Sequence, residues 1–292
     1  MRFDKYEGLG NDFIVVEQDS PQMPKPLVRR LCDRHFGVGG DGVLIVSPTE
    51  LAAARMTVLN ADGSQPEMCG NGLRCVALHI ASRRVSGSPG VMGGDGAAEF
   101  RPEATHPAGT AGSARFEVQT DAGIRRCDVA LGAVRGEARV TLELGRGAAL
   151  GGHQHEGNGQ SFRFERVTIG NPHAILFDSK LTPTEIDSLA PAISAAIPGG
   201  VNVEFVEQRS PLDLHVVVWE RGVGRTLACG TGAGAVAVAA ARAGRIPYDT
   251  PVQVHLPGGP LTISVAAESL QVTMTGPARH VFSGRLDPSR FC

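Results

Sequence analysis

Leu9-Gly10-Asn11 and Cys69-Gly70-Asn71-Gly72 recur further along this 292-residue chain as Ile169-Gly170-Asn171 and Cys229-Gly230-Thr231-Gly232, each pair 160 residues apart. The positions after each Cys agree at the same offset: Val76 with Val236, Ala77 with Ala237, Ala81 with Ala241. Two Gly-rich pairs can coincide by chance. Five or more matches at one spacing, both Asn and both Cys among them, mark an internal duplication. The length suits two ordinary domains, so the expectation is two similar halves related by a pseudo-twofold, each with its Cys at a loop-to-helix junction.

Periodicity fills in the halves. Residues 13–17 (FIVVE), 43–46 (VLIV) and 56–60 read as strands, with a helix over 26–33. Residues 73–84 have helical spacing and end in Arg83 and Arg84, where cations complement the negative helix end. Strands resume at 114–120, 138–144 and 214–219. Two stretches lack a period. Residues 86–113, rich in Gly, Pro, Ala and Ser, are expected to form a mobile surface loop, and the Gly- and His-rich 145–159 to connect the halves. The expected class is α+β with mixed or antiparallel sheets. An N-terminal half, 1–144, carries Cys69; a C-terminal half, 145–277, carries Cys229; a final strand within 278–292 returns to the first half.

Charge and composition exclude several functions. A net charge of −2 and a single Trp with two Tyr argue against a nucleic-acid binder, so any anion must be held by local geometry. Residues 1–10 lack the apolar core of an export signal, and the longest apolar run, 235–241, is far below the ~18 residues of a membrane span. A cytoplasmic protein without membrane partners is expected. None of the six Cys forms a C-x-x-C pair, so reduced thiols are available for chemistry.

A Cys ahead of a helix that opens Gly-Asn-Gly or Gly-Thr-Gly has a specific physical meaning. The first-turn N–H groups and the helix dipole are expected to lower the thiol pKa and to hold a carboxylate. Two such units facing one small anion suit proton removal from one face of a carbon and delivery to the other, which is racemisation or epimerisation. One Cys would act as thiolate and the other as thiol, titrating as a coupled pair, with the helix N-termini stabilising a carbanion-like transition state. Two thiols gripping one carbon nearly meet when the site is empty, so oxidation is expected to join Cys69 to Cys229.

At this point the residues resemble a known family. Lys5-Tyr6-Glu7-Gly8-Leu9-Gly10-Asn11-Asp12-Phe13, Asn60-Ala61-Asp62-Gly63-Ser64, Met68-Cys69-Gly70-Asn71-Gly72-Leu73-Arg74-Cys75, Gly170-Asn171-Pro172-His173, Glu220-Arg221-Gly222 and Ala228-Cys229-Gly230-Thr231-Gly232-Ala233 look like diaminopimelate epimerase, in that family's order. The related proline racemases share the fold but typically carry His where this chain has Asn71. The resemblance implies a sheet wrapped around a central hydrophobic helix in each half. It implies a homodimeric, cofactor-free and metal-free isomerase that interconverts LL- and meso-diaminopimelate for lysine and peptidoglycan precursors. It makes Cys69 and Cys229 the acid/bases, and Gly70, Asn71, Gly230 and Thr231 the backbone cradle. Asn11, Asn60, Asn171, Asn202, Glu220 and Arg221 become a polar wall for amino and carboxylate groups, and His173 with Glu220 a pair that tunes thiol protonation. Gly42 stands at the repeat position of Asn202, where some relatives carry Gln, and has no side chain to contribute.

Plainer readings compete at each feature. Free Cys is usually buried packing, and Cys32, Cys75, Cys127 and Cys292 are read that way. Asn11 and Asn171 suit turns, Glu220-Arg221 suits a solvated ion pair, and His153 with His155 lacks a third metal ligand. Gly37-Val38-Gly39-Gly40-Asp41-Gly42 fits a dinucleotide fingerprint, but a helix precedes it and a strand follows, the reverse of what that motif needs. A dithiol oxidoreductase gives no reason for the carboxylate cradle or the Asn residues.

Overall fold

A computed structural model describes residues 1–85, 112–157, 160–178 and 180–287, which form two compact units: Met1–Leu142 with Gly276–Cys292, and Glu143–Thr275. The expected loop at 86–113 lies almost wholly outside the described residues, as does Cys292. No helix among the described residues is long and apolar enough to cross a membrane.

The first unit contains β1 (Arg2–Gly8), β2 (Asn11–Glu17), α1 (Lys25–Cys32), β3 (Gly42–Ser47), β4 (Ala54–Asn60), α2 (Gly70–Val85), β5 (Ser113–Thr120), β6 (Gly123–Leu131) and most of β7 (Glu137–Arg146). Strands β1 and β2 form a hairpin whose two turn residues, Leu9 and Gly10, have φ of 58° and 80°. Positive φ at both central positions is the geometry of a two-residue hairpin turn, and it sets Asn11 at the head of β2. From there β2–β3 is parallel, β3–β4 antiparallel, β4–β5 parallel, and β5–β6–β7 antiparallel. Helix α2 packs on β1, β2, β3, β4 and β6. Leu73, Val76, Ala77, Leu78 and Ala81 are fully buried, and so is Arg74, whose Nε donates to the Pro277 carbonyl at 2.9 Å.

The second unit contains β8 (Ala148–Gly157), β9 (Gln160–Thr168), β10 (Pro172–Phe177), α3 (Pro183–Ala196), β11 (Asn202–Ser210), β12 (Asp213–Glu220), β13 (Gly224–Thr226), α4 (Gly230–Arg242), β14 (Val252–Leu256), β15 (Gly259–Val265) and the start of β16 (Gln271–Arg285); the rest of β16 pairs with β1 in the first unit. The duplication is written into strand register. Phe13 faces Gly42 across β2–β3, and His173 faces Asn202 across β10–β11; Val43 faces Leu59, and Val203 faces Trp219. Each of these pairs is displaced by the same 160 residues. Helix α4 is apolar on all sides and buried from Gly232 to Ala241, as expected for a core helix. A Cβ on Gly234 would lie 2.9 Å from Ile169 Cδ1, so glycine lets the helix approach its neighbours closely. Each buried Val or Leu contributes about 1.5–3 kcal/mol, against ~1 kcal/mol lost per helical Gly; packing, not propensity, holds this helix.

The sequence reading placed no strand at β1, β6, β8–β11 or β13–β15, and two of these show why. β6 (GIRRCDVAL) has its alternation masked by charged residues on its exposed face. β8 lies within the stretch read as a connection; nearly every residue in it is exposed, so it carries no hydrophobic pattern to detect.

Candidate active site

In the first unit the chain leaves Asn60 and enters α2 through Cys69. Gly72 N–H donates to Cys69 Sγ at 3.4 Å, and Leu73 N–H donates to the Cys69 carbonyl at 2.8 Å, opening the helix. The thiol is half-buried and lies 4.0 Å from Asn11 Oδ1, which also accepts from Asn71 Nδ2 at 3.2 Å. Asn11 is oriented from behind: its Nδ2 donates to Asp41 Oδ2 at 2.6 Å, turning its carbonyl toward the thiol. Asp41 is itself held by the Arg34 guanidinium at 2.7 Å and by Asp12 N–H at 3.0 Å. Asn60 stands opposite Gly42 at the exposed end of β4, its Nδ2 donating to Ser64 Oγ at 2.9 Å.

The second unit builds the same corner with different chemistry. Gly232 N–H donates to Cys229 Sγ at 3.3 Å and Ala233 N–H to its carbonyl at 3.0 Å. Cys229 Sγ lies 3.4 Å from Thr231 Oγ1, which accepts from Asn171 Nδ2 at 3.3 Å. Asn171 Oδ1 meets His173 Nε2 at 3.0 Å, and His173 Nδ1 meets Glu204 Oε1 at 2.6 Å. The result is a continuous polar chain from a buried carboxyl to the thiol, with His173 and Glu204 both wholly enclosed. Glu220 receives the Thr226 hydroxyl at 2.6 Å. Burial raises its pKa, partly offset by the hydrogen bonds from Thr226 and Cys229. Asn202 Oδ1 accepts from Arg221 N–H at 2.9 Å. The exposed Arg221 side chain donates to the Gly199 carbonyl and lies across Gly200, where a Cβ would come within 2.6 Å of its stem.

The electrostatics at Cys229 reverse one expectation. Burial pushes its pKa well above the ordinary thiol value, and Glu220 and Glu204 push it further. The Thr231 hydroxyl and Gly232 N–H pull it down by less. At this position desolvation and two carboxylates outweigh the helix N-terminus.

Two contributors escaped the sequence reading, Asp41 and Glu204. Glu204 is the repeat position of Leu44, and both are fully buried beneath the helix-opening turn. A Cβ on Gly72 would lie 3.0 Å from Leu44 Cδ2, and one on Gly232 2.7 Å from Glu204 Oε1. The duplication therefore places a leucine under one thiol and an acid under the other. His153 and His155 lie on β8 with ring centroids 6.4 Å apart, and gather no third ligand among the described residues.

Comparisons with known proteins agree in direction. Residues 3–133 and 166–281 match the sequence pattern of the family described as diaminopimelate epimerase. The diaminopimelate epimerase of Desulforudis audaxviator (strain MP104C) is 40% identical, over 98% of this chain and 99% of that protein. Among solved structures, a probable proline racemase from Agrobacterium radiobacter K84 aligns with a TM-score of 0.72 at 13% identity, covering 98% of this chain and 92% of the other. A hydroxyproline epimerase from Agrobacterium vitis gives 0.72 at 15% identity, covering 98% and 90%. At such identities the likeness is one of fold.

Proposed function

The chain belongs to the diaminopimelate epimerase family, and we propose that it interconverts LL- and meso-2,6-diaminopimelate, for lysine and peptidoglycan precursors, with Cys69 and Cys229 as the two acid/bases. The observation that carries this reading is the repeated corner itself: each thiol stands one residue before a helix, receiving the N–H of Gly72 or Gly232 at 3.4 or 3.3 Å. One thiolate removes the α-proton and becomes a thiol; the other thiol delivers its proton to the opposite face and becomes a thiolate. Atoms and charge balance without a cofactor or metal. The N-terminal turns of α2 and α4 present their backbone N–H groups and positive dipole ends to the substrate carboxylate, which lowers the cost of negative charge at the α-carbon.

Burial beside two carboxylates favours the thiol form of Cys229. In the direction in which Cys229 is the acid Cys69 is the base, and the reverse reaction exchanges the roles. After turnover in the first direction Cys229 is a thiolate. Exchange with solvent restores the pair, Cys69 losing the proton it took and Cys229 regaining one beside Glu220, which hydrogen-bonds that thiol. The His173–Glu204 pair fixes Asn171, which fixes Thr231 against Cys229. Asn11, Asn171, Asn202 and the Arg221 guanidinium supply donors and acceptors for a zwitterionic amino acid; Asn60 joins them at the exposed end of β4. The sheet in each unit wraps its central helix, and the enzyme works in the cytoplasm as a homodimer, which sedimentation tests.

NMR of the reduced enzyme in D₂O with LL-diaminopimelate, L-proline and L-lysine in parallel tests the substrate. Appearance of the meso isomer with α-deuterium, in diaminopimelate alone, is expected. Exchange in proline instead would keep the two thiols and overturn the substrate; inactivity with all three would remove the proposal.

A further inference from the structure

The second unit carries another cluster, on the sheet face opposite Glu204. Side chains alternate along a strand, so Phe205 and Glu207 of β11 point away from Glu204, and Asp213, His215 and Val217 of β12 lie on their side by register. In the parallel pair β12–β14, His215 stands directly opposite His255, and Asp213 precedes His215 by two residues. Register therefore brings two imidazoles and a carboxylate onto one patch. His215 Nε2 and His255 Nε2 lie 3.2 and 3.3 Å from Asp213 Oδ1. This is the one group of three His, Cys, Asp or Glu side chains among the described residues whose ligand atoms all lie within 4.8 Å of one another. It borders a cavity of about 560 Å³, lined also by Leu181 and Ile186, that shares no lining residue with the Cys229 cluster.

We propose that Asp213, His215 and His255 bind one divalent transition-metal ion of the zinc type. Asp213 Oδ1 is enclosed yet accepts no hydrogen bond among the described residues, although two ring nitrogens stand within reach. Ligands converging on a shared point, rather than on each other, have that signature. Tetrahedral coordination with bonds of roughly 2.0–2.1 Å sets neighbouring ligand atoms about 3.3–3.4 Å apart, close to the two separations here. The rings stack at 4.5 Å, 9° from parallel, and must turn for both in-plane lone pairs to meet the ion; the torsion that turns an imidazole is soft. Two imidazoles with one carboxylate select zinc-like ions over magnesium or calcium. The three side chains are 28–38% exposed, which leaves the fourth position to water from the cavity. Glu207, opposite His215 on β11, is the nearest further carboxylate in that row. The ion cross-links β12 to β14 and stands apart from the isomerase chemistry.

The test is calorimetry with Zn²⁺ on chelator-treated, reduced, full-length protein, together with the absorbance of the Co²⁺ form. One equivalent of Zn²⁺ is expected. The Co²⁺ form should show visible ligand-field bands without the near-ultraviolet thiolate-to-cobalt transition. His215→Ala and His255→Ala should each weaken binding by more than the roughly 10- to 100-fold that loss of an outer-shell partner costs, with isomerase activity unchanged. In wild type, Zn²⁺ should shift the imidazole resonances of His215 and His255, a readout that does not depend on the variants folding. Absence of binding, unshifted imidazoles, or a thiolate band with stoichiometry unaffected by His215→Ala would overturn the proposal.

Discussion

Cys69 and Cys229 share a motif and a helix-opening turn, yet only Cys229 is buried, at 6% exposure, beside Glu204 and Glu220. Iodoacetamide at pH 8 should therefore alkylate Cys69 well before Cys229, as peptide mapping over time will report; equal rates would mean that the surroundings do not separate the thiols. The pH dependence has a definite sign. A neighbouring carboxylate raises a thiol pKa, so Glu220→Gln should move the onset of Cys229 ionisation, followed by thiolate absorbance near 240 nm, to lower pH. An unmoved or raised onset contradicts that role. Glu204→Gln keeps the shape beside His173 but removes the charge. It is expected to lower kcat by about 100-fold, since Glu204 acts through His173 and Asn171 on Thr231 and the Cys229 thiol. These residues also show where sequence reading stops. Cys69, Cys229, Asn11 and Asn171 were legible because the repeat doubles them, whereas Glu204 sits in an ordinary strand pattern, NVEFV, and its burial is a tertiary fact. Its one signal was the repeat itself, which pairs it with Leu44.

Among the elements, the two helix-opening turns give a matched pair of substitutions. A Cβ at Gly232 would meet Glu204 Oε1 at 2.7 Å, in a carboxyl already fixed by His173; the tightest contact of a Cβ at Gly72 would be the flexible end of Leu44, at 3.0 Å. Gly232→Ala should cost about 1–3 kcal/mol through overpacking and impair catalysis. Gly72→Ala should cost less, because the leucine can rotate and alanine favours the helix. Urea unfolding of both variants beside wild type checks the order, and a larger loss for Gly72→Ala would contradict it. β2, β3, β4 and α2, each with a buried apolar face, were legible from period alone. β6 and β8 were not, because charged and exposed residues hide their alternation while backbone pairing, invisible to a hydropathy pattern, holds them.

For the whole molecule, the duplication was the most legible feature, and it reappears as identical strand registers in the two units rather than as sequence likeness alone. Composition says nothing of it; a fixed offset does, because duplicated folds keep the residues that shape turns and helix starts while their cores drift. The duplication also accounts for a two-base reaction, since two copies of one thiol corner supply an acid and a base from a single ancestral device. That claim has a direct isotopic test. In D₂O, at the earliest turnover of LL-diaminopimelate, mass spectrometry should find one deuterium at the inverted carbon of the meso product and none in the remaining LL substrate. Each base then exchanges with solvent on its own side. Retention of the original protium at the inverted carbon would mean that a single base carries the proton across, and would contradict the two-thiol mechanism.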